Sequence, residues 1–136
     1  MFKTILFPID QSREAREAAQ MVADLVKSHQ SRLFILSVVE TPEDVEPHQS
    51  PVMASPEEVA RLLEAAKTLF RNQGITAEVL EREGKPSFTI CDVADEINAD
   101  LIVMGCRGLG LTQEGVAESV TTRVINLSPC PVLIIP

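Results

Sequence analysis

The chain has 136 residues, of which 45% are hydrophobic and 4% aromatic, and its formal net charge is −8. Its length corresponds to one domain, residues 1–136, and its core must be aliphatic. Nucleic acids and anionic membranes both select a basic surface, so the negative charge argues against either as a partner.

Hydrophobic periodicity predicts five strands that alternate with four helices. A first helix begins near Ser12 and ends at about Ser28, and the proline-interrupted stretch Glu40–Ala54 is typical of a mobile loop. Ser55 and Glu58 form the pattern of a capping box at the start of the second helix. A third helix follows Gly84-Lys85-Pro86-Ser87. The strands are predicted at Phe2–Ile9, Leu33–Val39, Thr76–Arg82, Leu101–Met104 and Val132–Ile135, and the last helix carries Val116, Val120, Val124 and Leu127.

Continuously apolar strands separated by amphipathic helices indicate an α/β fold, with a parallel sheet covered on both faces. Right-handed crossovers then give a doubly wound, Rossmann-like sheet. Such sheets bind ligands beyond the carboxyl ends of the strands, where the strand order reverses. The first and fourth strands end near Asp10 and Gly105. If these strands are neighbours, both residues face one crevice.

The segment Gly105-Cys106-Arg107-Gly108 follows the fourth strand and precedes a helix, an arrangement that presents free backbone N–H groups to an anion. Glycine at 105 and 108 lets those N–H groups approach a phosphate without a Cβ in the way. Arg107 offers a bidentate phosphate partner, and Ser119 and Thr121 offer hydroxyl groups near the helix start. Asp10 can accept hydrogen bonds from ribose hydroxyls.

Several motifs together resemble the universal stress protein family over essentially the full length. They are Ile5-Leu6-Phe7-Pro8-Ile9-Asp10-x-Ser12, Gly84-x-Pro86, Asp100-Leu101-Ile102-Val103-Met104-Gly105-x-Arg107-Gly108 and Ser128-Pro129-Cys130-Pro131-Val132-Leu133-Ile134-Ile135. The resemblance implies a five-stranded sheet of order 3-2-1-4-5 and a homodimer joined through the last strand. It also implies binding of ATP, AMP or another adenine nucleotide, because many members of the family bind one.

The ATP-binding members of the family resemble Gly-x2-Gly-x9-Gly-(Ser/Thr). Gly105, Gly108 and Ser119 match this pattern, but Glu118 stands where the third glycine is expected. By the same resemblance, Asp10 would hold the ribose. The remaining nucleotide-binding positions would be Pro8, with Ile9, Val39 and Met104 at the adenine, and Arg107, Ser119, Val120 and Thr121 at the phosphates.

Glu118 adds a negative charge beside the expected phosphates. Two like charges roughly 5 Å apart at an effective dielectric constant of about 20 repel by roughly 3 kcal/mol. Pairing with Arg107 or Arg123, a bridging Mg²⁺ ion or rotation of Glu118 to solvent would offset the repulsion. Because the repulsion falls with phosphate charge, AMP or a cyclic nucleotide should be tolerated better than ATP.

A second hypothesis is a dimeric protein-interaction scaffold in which Glu118 blocks the phosphate site. Asp10 and the two glycines are also compatible with simple turns, the less favoured interpretation. The sequence has no evident Ser/His/Asp set and no Gly-x4-Gly-Lys-(Ser/Thr) loop, so we expect no enzyme, although slow ATP hydrolysis stays open. An adenylating ligase or a pyrophosphatase would need a glycine-rich loop after the first strand, and Pro8-Ile9-Asp10-Gln11-Ser12 contains no glycine.

The C-terminal segment Pro131–Pro136 is apolar. At a sheet edge its unpaired backbone groups would favour pairing with a second chain, so a homodimer is expected, beside an unknown protein partner. The three cysteines show no metal or disulfide spacing, and the first eight residues are too short an apolar run to span a membrane. We therefore expect a cytoplasmic protein with no metal site.

Overall fold

The strands and helices alternate along the chain as predicted. The computed structural model describes residues 2–10, 13–40, 55–105 and 120–136, with side chains from residue 17 onward in the second range. All strand pairs are parallel, and their order is β3-β2-β1-β4-β5, which confirms the doubly wound sheet. The elements are β1 (Thr4–Pro8), α1 (Arg13–His29), β2 (Arg32–Val39), α2 (Pro56–Arg71), β3 (Ala77–Glu83), α3 (Pro86–Glu96), β4 (Leu101–Gly105), α4 (Val120–Leu127) and β5 (Val132–Ile135).

The predicted element boundaries are wrong by one or two residues at several ends. The first strand covers Thr4–Pro8 rather than Phe2–Ile9, and the third covers Ala77–Glu83 rather than Thr76–Arg82. The first helix continues one residue past Ser28. Ser12, residues 41–54 of the expected loop and Val116 lie outside the described residues.

The core has two aliphatic layers, one on each side of the sheet. The first layer packs α1 and α2 against the sheet around Ile5, Phe7 and Ile35. The second packs α3 and α4 against the opposite face around Leu6 and Leu36. Successive residues of β1 and β2 thus alternate between the layers, as the pleat requires. The layers are called the α1/α2 face and the α3/α4 face below.

The start of α2 confirms half of the predicted capping box. The Ser55 hydroxyl accepts a hydrogen bond from the Glu58 amide at 3.3 Å, and Pro56 begins the helix. The same hydroxyl lies 3.0 Å from a carboxylate oxygen of Glu57, a contact that the sequence did not indicate. Backbone hydrogen bonding, followed by the Ser55 contact, lowers the pKa of Glu57 below its ordinary value.

Asp100 ties the beginning of β4 to the beginning of β1. Its carboxylate accepts hydrogen bonds from the amides of Lys3 at 3.0 Å and Thr4 at 2.9 Å. Its own amide donates to the Thr4 carbonyl at 2.8 Å. One side chain therefore satisfies backbone donors at the amino end of the central strand and holds β1 beside β4.

We expect Asp100→Ala to lower the free energy of unfolding by about 2 kcal/mol, because the part-buried hydrogen bond from Thr4 to the charged carboxylate contributes about 1.5–3 kcal/mol and the exposed bond from Lys3 adds little. Asp100→Asn keeps one oxygen acceptor and should lose about half as much. Urea unfolding followed by circular dichroism measures both. The exposed Asp92 on α3 gives the control Asp92→Ala, expected within about 0.5 kcal/mol of the parent protein. Equal losses at both positions would contradict this role.

Candidate functional site

The carboxyl edge of the sheet is stepped. The last residue of β1, Pro8, pairs with Leu36, whereas β2 continues to Val39, which pairs with Glu83 of β3. Those three further residues extend the edge by about 10 Å at about 3.3 Å per residue. The ends of β2 and β3 therefore extend beyond the shorter β1. We call the region at this step, around Ile9 and Asp10, the recess.

The recess lies where the chain reverses its direction across the sheet. From β1 the chain passes through α1 on one face toward β2, and from β4 it passes through α4 on the other face toward β5. Ile5 pairs with Leu101, and in this register Ile9 is opposite Gly105. The predicted adjacency of the β1 and β4 ends is therefore confirmed, and the recess is at the switch point that binds ligands in doubly wound sheets.

The backbone just after β1 is held by β2. The Ile9 amide donates to the Leu36 carbonyl at 2.8 Å, and the Ile9 carbonyl accepts from the Ser37 hydroxyl at 3.0 Å. Ser37 is 1% exposed, so its hydroxyl lies inside the fold. These two bonds fix the peptide that leads to Asp10. Sequence analysis missed Ser37, although its signal was a single hydroxyl within the apolar run Leu33–Val39.

The end of β4 is joined to the start of α4. The Thr121 hydroxyl lies 3.5 Å from the Gly105 carbonyl and donates to it, and Thr121 is 3% exposed. The Thr121 hydroxyl therefore has a hydrogen-bond partner within the fold, whereas the sequence predicted that it would contact a phosphate. Val120, the first residue of α4 within the described range, is exposed.

The structure brings the described members of the predicted site to this edge. Val39 and Met104 are buried at the ends of β2 and β4, and Pro8, Ile9, Asp10 and Gly105 are half-buried around the recess. Their contacts with a nucleotide remain predictions. Arg107, Gly108 and Ser119 lie outside the described residues, as do Glu118 and Cys106.

The two described cysteines belong to the α3/α4 face and not to the recess. Cys91 is buried on α3, and Cys130 packs against the same layer just before β5. Burial is the main reason that the pKa of each thiol is raised above its ordinary value, which favours the neutral thiol over the nucleophilic thiolate.

Within the described ranges, no group of three or more His, Cys, Asp or Glu side chains is placed to hold a metal ion. In the same residues, no helix combines the length and the apolar character that crossing a bilayer requires.

Comparison with known proteins identifies the class. The family model described as "Universal stress protein family" matches residues 1–136, and the chain belongs to this family. It is 72% identical to the universal stress protein Sll1654 of Synechocystis over 136 residues, which are 100% of this chain and 87% of that protein.

Solved structures agree on the fold. The universal stress protein UspA from Lactobacillus plantarum is 25% identical, with a TM-score of 0.81 over 99% of this chain and 98% of its own. A universal stress protein crystallised in complex with cAMP is 24% identical, also with a TM-score of 0.81, over 99% of this chain and 97% of its own. The Rossmann-like architecture expected from the sequence is thus shown.

Two buried serines give a matched test of the support beneath Asp10. Ser37 and Ser87 are each 1% exposed, but Ser37 donates to Ile9 whereas the Ser87 hydroxyl has no hydrogen-bond partner in the part of the chain that the structure describes. Ser37→Ala should lower the free energy of unfolding by about 1–2 kcal/mol, because it leaves a buried carbonyl without its donor. Ser87→Ala should be neutral or stabilising. Urea denaturation measures both, and the reverse order would refute the assignment.

Proposed function

We propose that this chain is an adenine-nucleotide-binding module of the universal stress protein type, a cytoplasmic homodimer that signals to a protein partner. The observation that carries the proposal is the recess at the switch point, where Asp10 follows β1 and Gly105 ends the neighbouring β4. A carboxylate on one side and a backbone free of Cβ on the other suit a ribose and the phosphate attached to it.

The three residues proposed to receive the base are apolar and lie at the ends of neighbouring strands, Val39 and Ile9 toward the α1/α2 face and Met104 toward the α3/α4 face. Val39 is 6% exposed and Met104 is 7% exposed, and Ile9 is half-buried between their strands. An aromatic base gains from such contacts because its faces lose water, while its edges reach nearby backbone groups. The relative crystallised with cAMP shows that a protein of this fold binds an adenine nucleotide, and this supports the same ligand class here.

Glu118 sets the expected preference among nucleotides. It lies one residue before Ser119, in the position that the ATP-binding members of the family give to glycine. Its charge repels a triphosphate more than a monophosphate, by roughly 3 kcal/mol for each pair of charges at roughly 5 Å. AMP and cAMP are therefore proposed as the better ligands, and Mg²⁺ as an aid to ATP, because the ion would lie between like charges.

Calorimetric titration with ATP, ADP, AMP and cAMP, with and without Mg²⁺, tests the proposal. We expect micromolar binding of AMP and weaker binding of ATP. The Glu118→Gly variant should show a smaller difference between the affinities for AMP and ATP. Asp10→Asn should lower the affinity for AMP at least tenfold, because an amide is a poorer acceptor for ribose hydroxyls than a carboxylate. Asp95→Asn, at an exposed position of α3, is the control and should leave the affinity unchanged.

The same titration decides between the nucleotide module and the scaffold. If the parent protein binds none of the four nucleotides but Glu118→Gly binds AMP, the recess is intact and Glu118 closes it. The protein would then be a dimeric interaction scaffold. If neither protein binds, the recess does not serve nucleotides and the proposal fails.

We also propose that the protein is not an efficient enzyme. The described thiols lie away from the recess, and their raised pKa values disfavour a thiolate nucleophile. Within the described ranges, no acidic or histidine cluster is placed to hold a catalytic metal. We expect at most slow hydrolysis of ATP.

The two edges of the sheet support a homodimer through β5. The edge strand β3 carries Glu78, Glu81, Arg82 and Glu83, which discourage pairing with another sheet. The opposite edge, β5, reads Val-Leu-Ile-Ile, and each of its side chains is only half-buried. Neighbouring α4 exposes Ile125 and Leu127 at 52% and 48%. Pairing of two β5 strands within Pro131–Pro136 would cover an apolar edge that charges do not protect.

A charge on β5 should separate the protomers. Ile134→Asp is expected to give a monomer by light scattering, because joining the two sheets would bury the new carboxylate on the α3/α4 face. Leu133→Asp is expected to do the same on the α1/α2 face. Leu80→Asp is the matched control, since Leu80 is half-buried on the other edge strand and packs against the same α3/α4 face. Both variants should lose stability, but only Ile134→Asp should change the mass. A dimeric Ile134→Asp protein would contradict the assignment.

A further inference from the structure

A cavity of about 120 Å³ lies between α1 and α2, beside the carboxyl end of β1. Its inner wall includes Phe7 and Phe70, whose rings meet edge to face with centroids 6.1 Å apart. Leu69, 40% exposed, contributes to its lining from α2. The described residues that line it are Phe7, Ile9, Asp10, Ala19, Leu62, Ala65, Ala66, Leu69 and Phe70.

Alanines make the space. Ala19 comes from α1 and Ala65 and Ala66 from α2, so both helices present short side chains to the cavity. Other residues of this face, such as Val22, Val59 and Leu63, have larger side chains and are at most 4% exposed.

The described part of the lining is apolar except for one carboxylate, which disfavours buried water and anions there. Asp10 is the one polar side chain among the described lining residues, whereas a buried water needs two to four polar partners. An anionic ligand would meet the Asp10 carboxylate as a like charge in a partly dry space. An uncharged, apolar molecule loses no hydrogen bonds on entering and removes apolar surface from water.

We propose that this cavity is a second binding site, which takes an uncharged apolar molecule about the size of a single six-membered ring. An apolar cavity of about 150 Å³ in another protein is known to remain dry and to bind benzene, so a partly open cavity of this size suits a similar group. The edges of Phe7 and Phe70 and the methyl groups of the alanines supply the contacts.

The site is next to the nucleotide recess, since Ile9 and Asp10 belong to both. This second step rests on the proposed function. An occupant that packs against Ile9 and Asp10 removes water from the surroundings of the Asp10 carboxylate, so it should change the affinity for AMP. By linkage, AMP should change the affinity of the occupant by the same factor. The cavity would thus let an apolar metabolite tune the response to a nucleotide.

Toluene is the probe, and nuclear magnetic resonance of the ¹⁵N-labelled protein is the measurement. We expect saturable amide shifts at Ala19, Ala66 and Leu69, and no saturable shifts there with benzoate, the charged counterpart of similar size. Ala66→Leu places a larger side chain in the cavity and should lower the affinity for toluene at least tenfold. Ala60→Leu is the control, because Ala60 is an exposed alanine of the same helix that does not line the cavity. If Ala66→Leu does not fold, Ala65→Leu replaces it.

The outcomes separate the two proposals. Saturable toluene binding that Ala66→Leu removes and Ala60→Leu retains supports the cavity site, whether or not AMP binds. Shifts that do not saturate, or that survive filling of the cavity, overturn it. A separate AMP titration with and without toluene tests the coupling: an AMP affinity that toluene leaves unchanged refutes the coupling, and absence of AMP binding refutes the nucleotide proposal alone.

Discussion

The structure depends on the complete burial of the three central residues of β1. Ile5, Leu6 and Phe7 are at most 1% exposed, and their strand is flanked by β2 on one side and β4 on the other. A strand in this position can shed its apolar surface only if helices cover both faces of the sheet. The crossovers through α1 and α4 lie on opposite faces and meet this requirement. Since one leads from β1 to β2 and the other from β4 to β5, the chain leaves the ends of β1 and β4 in opposite directions. The recess above Ile9 and Asp10 is therefore a geometric consequence of burying the strand beneath it.

Opposite ends of β1 are held by different means. At its amino end, the Asp100 carboxylate supplies acceptors for two successive amides. At its carboxyl end, the Ser37 hydroxyl and the Leu36 carbonyl hold the peptide of Ile9. Both supports come from outside β1, one from the turn before β4 and one from β2. The position of Asp10 is thus determined by neighbouring strands, and this gives the recess a fixed wall even though its residues follow the regular strand.

The layers and the strand order could be predicted because they follow from local patterns. Leu101–Met104 is apolar at every position and Leu33–Val39 at every position but Ser37, a pattern that a sheet covered on both faces accommodates. The exact end of β1 could not be predicted, because Lys3 directs its amide to Asp100, a residue 97 positions away. For the same reason the support from Ser37 was missed, since its partner Ile9 is 28 residues earlier in the chain. The cavity at Ala66 depends on which side chains face each other across α1 and α2, and periodicity does not specify this.

Within the candidate site, sequence and structure supply different parts of the argument. The sequence names side chains whose chemistry suits a nucleotide, and the structure shows that the described ones among them share one edge. Thr121 illustrates the limit of reasoning from residue type: a hydroxyl near a helix start was expected to face phosphates, yet it is 3% exposed and donates to Gly105. A donor that already has a partner within the fold contributes less to a ligand, because binding then exchanges one hydrogen bond for another. For the proposed nucleotide, the free energy of binding would therefore come mainly from apolar contact with the base and from Asp10 at the ribose. Such a distribution favours nucleotides with few phosphates, and the negative charge of Glu118 favours the same nucleotides.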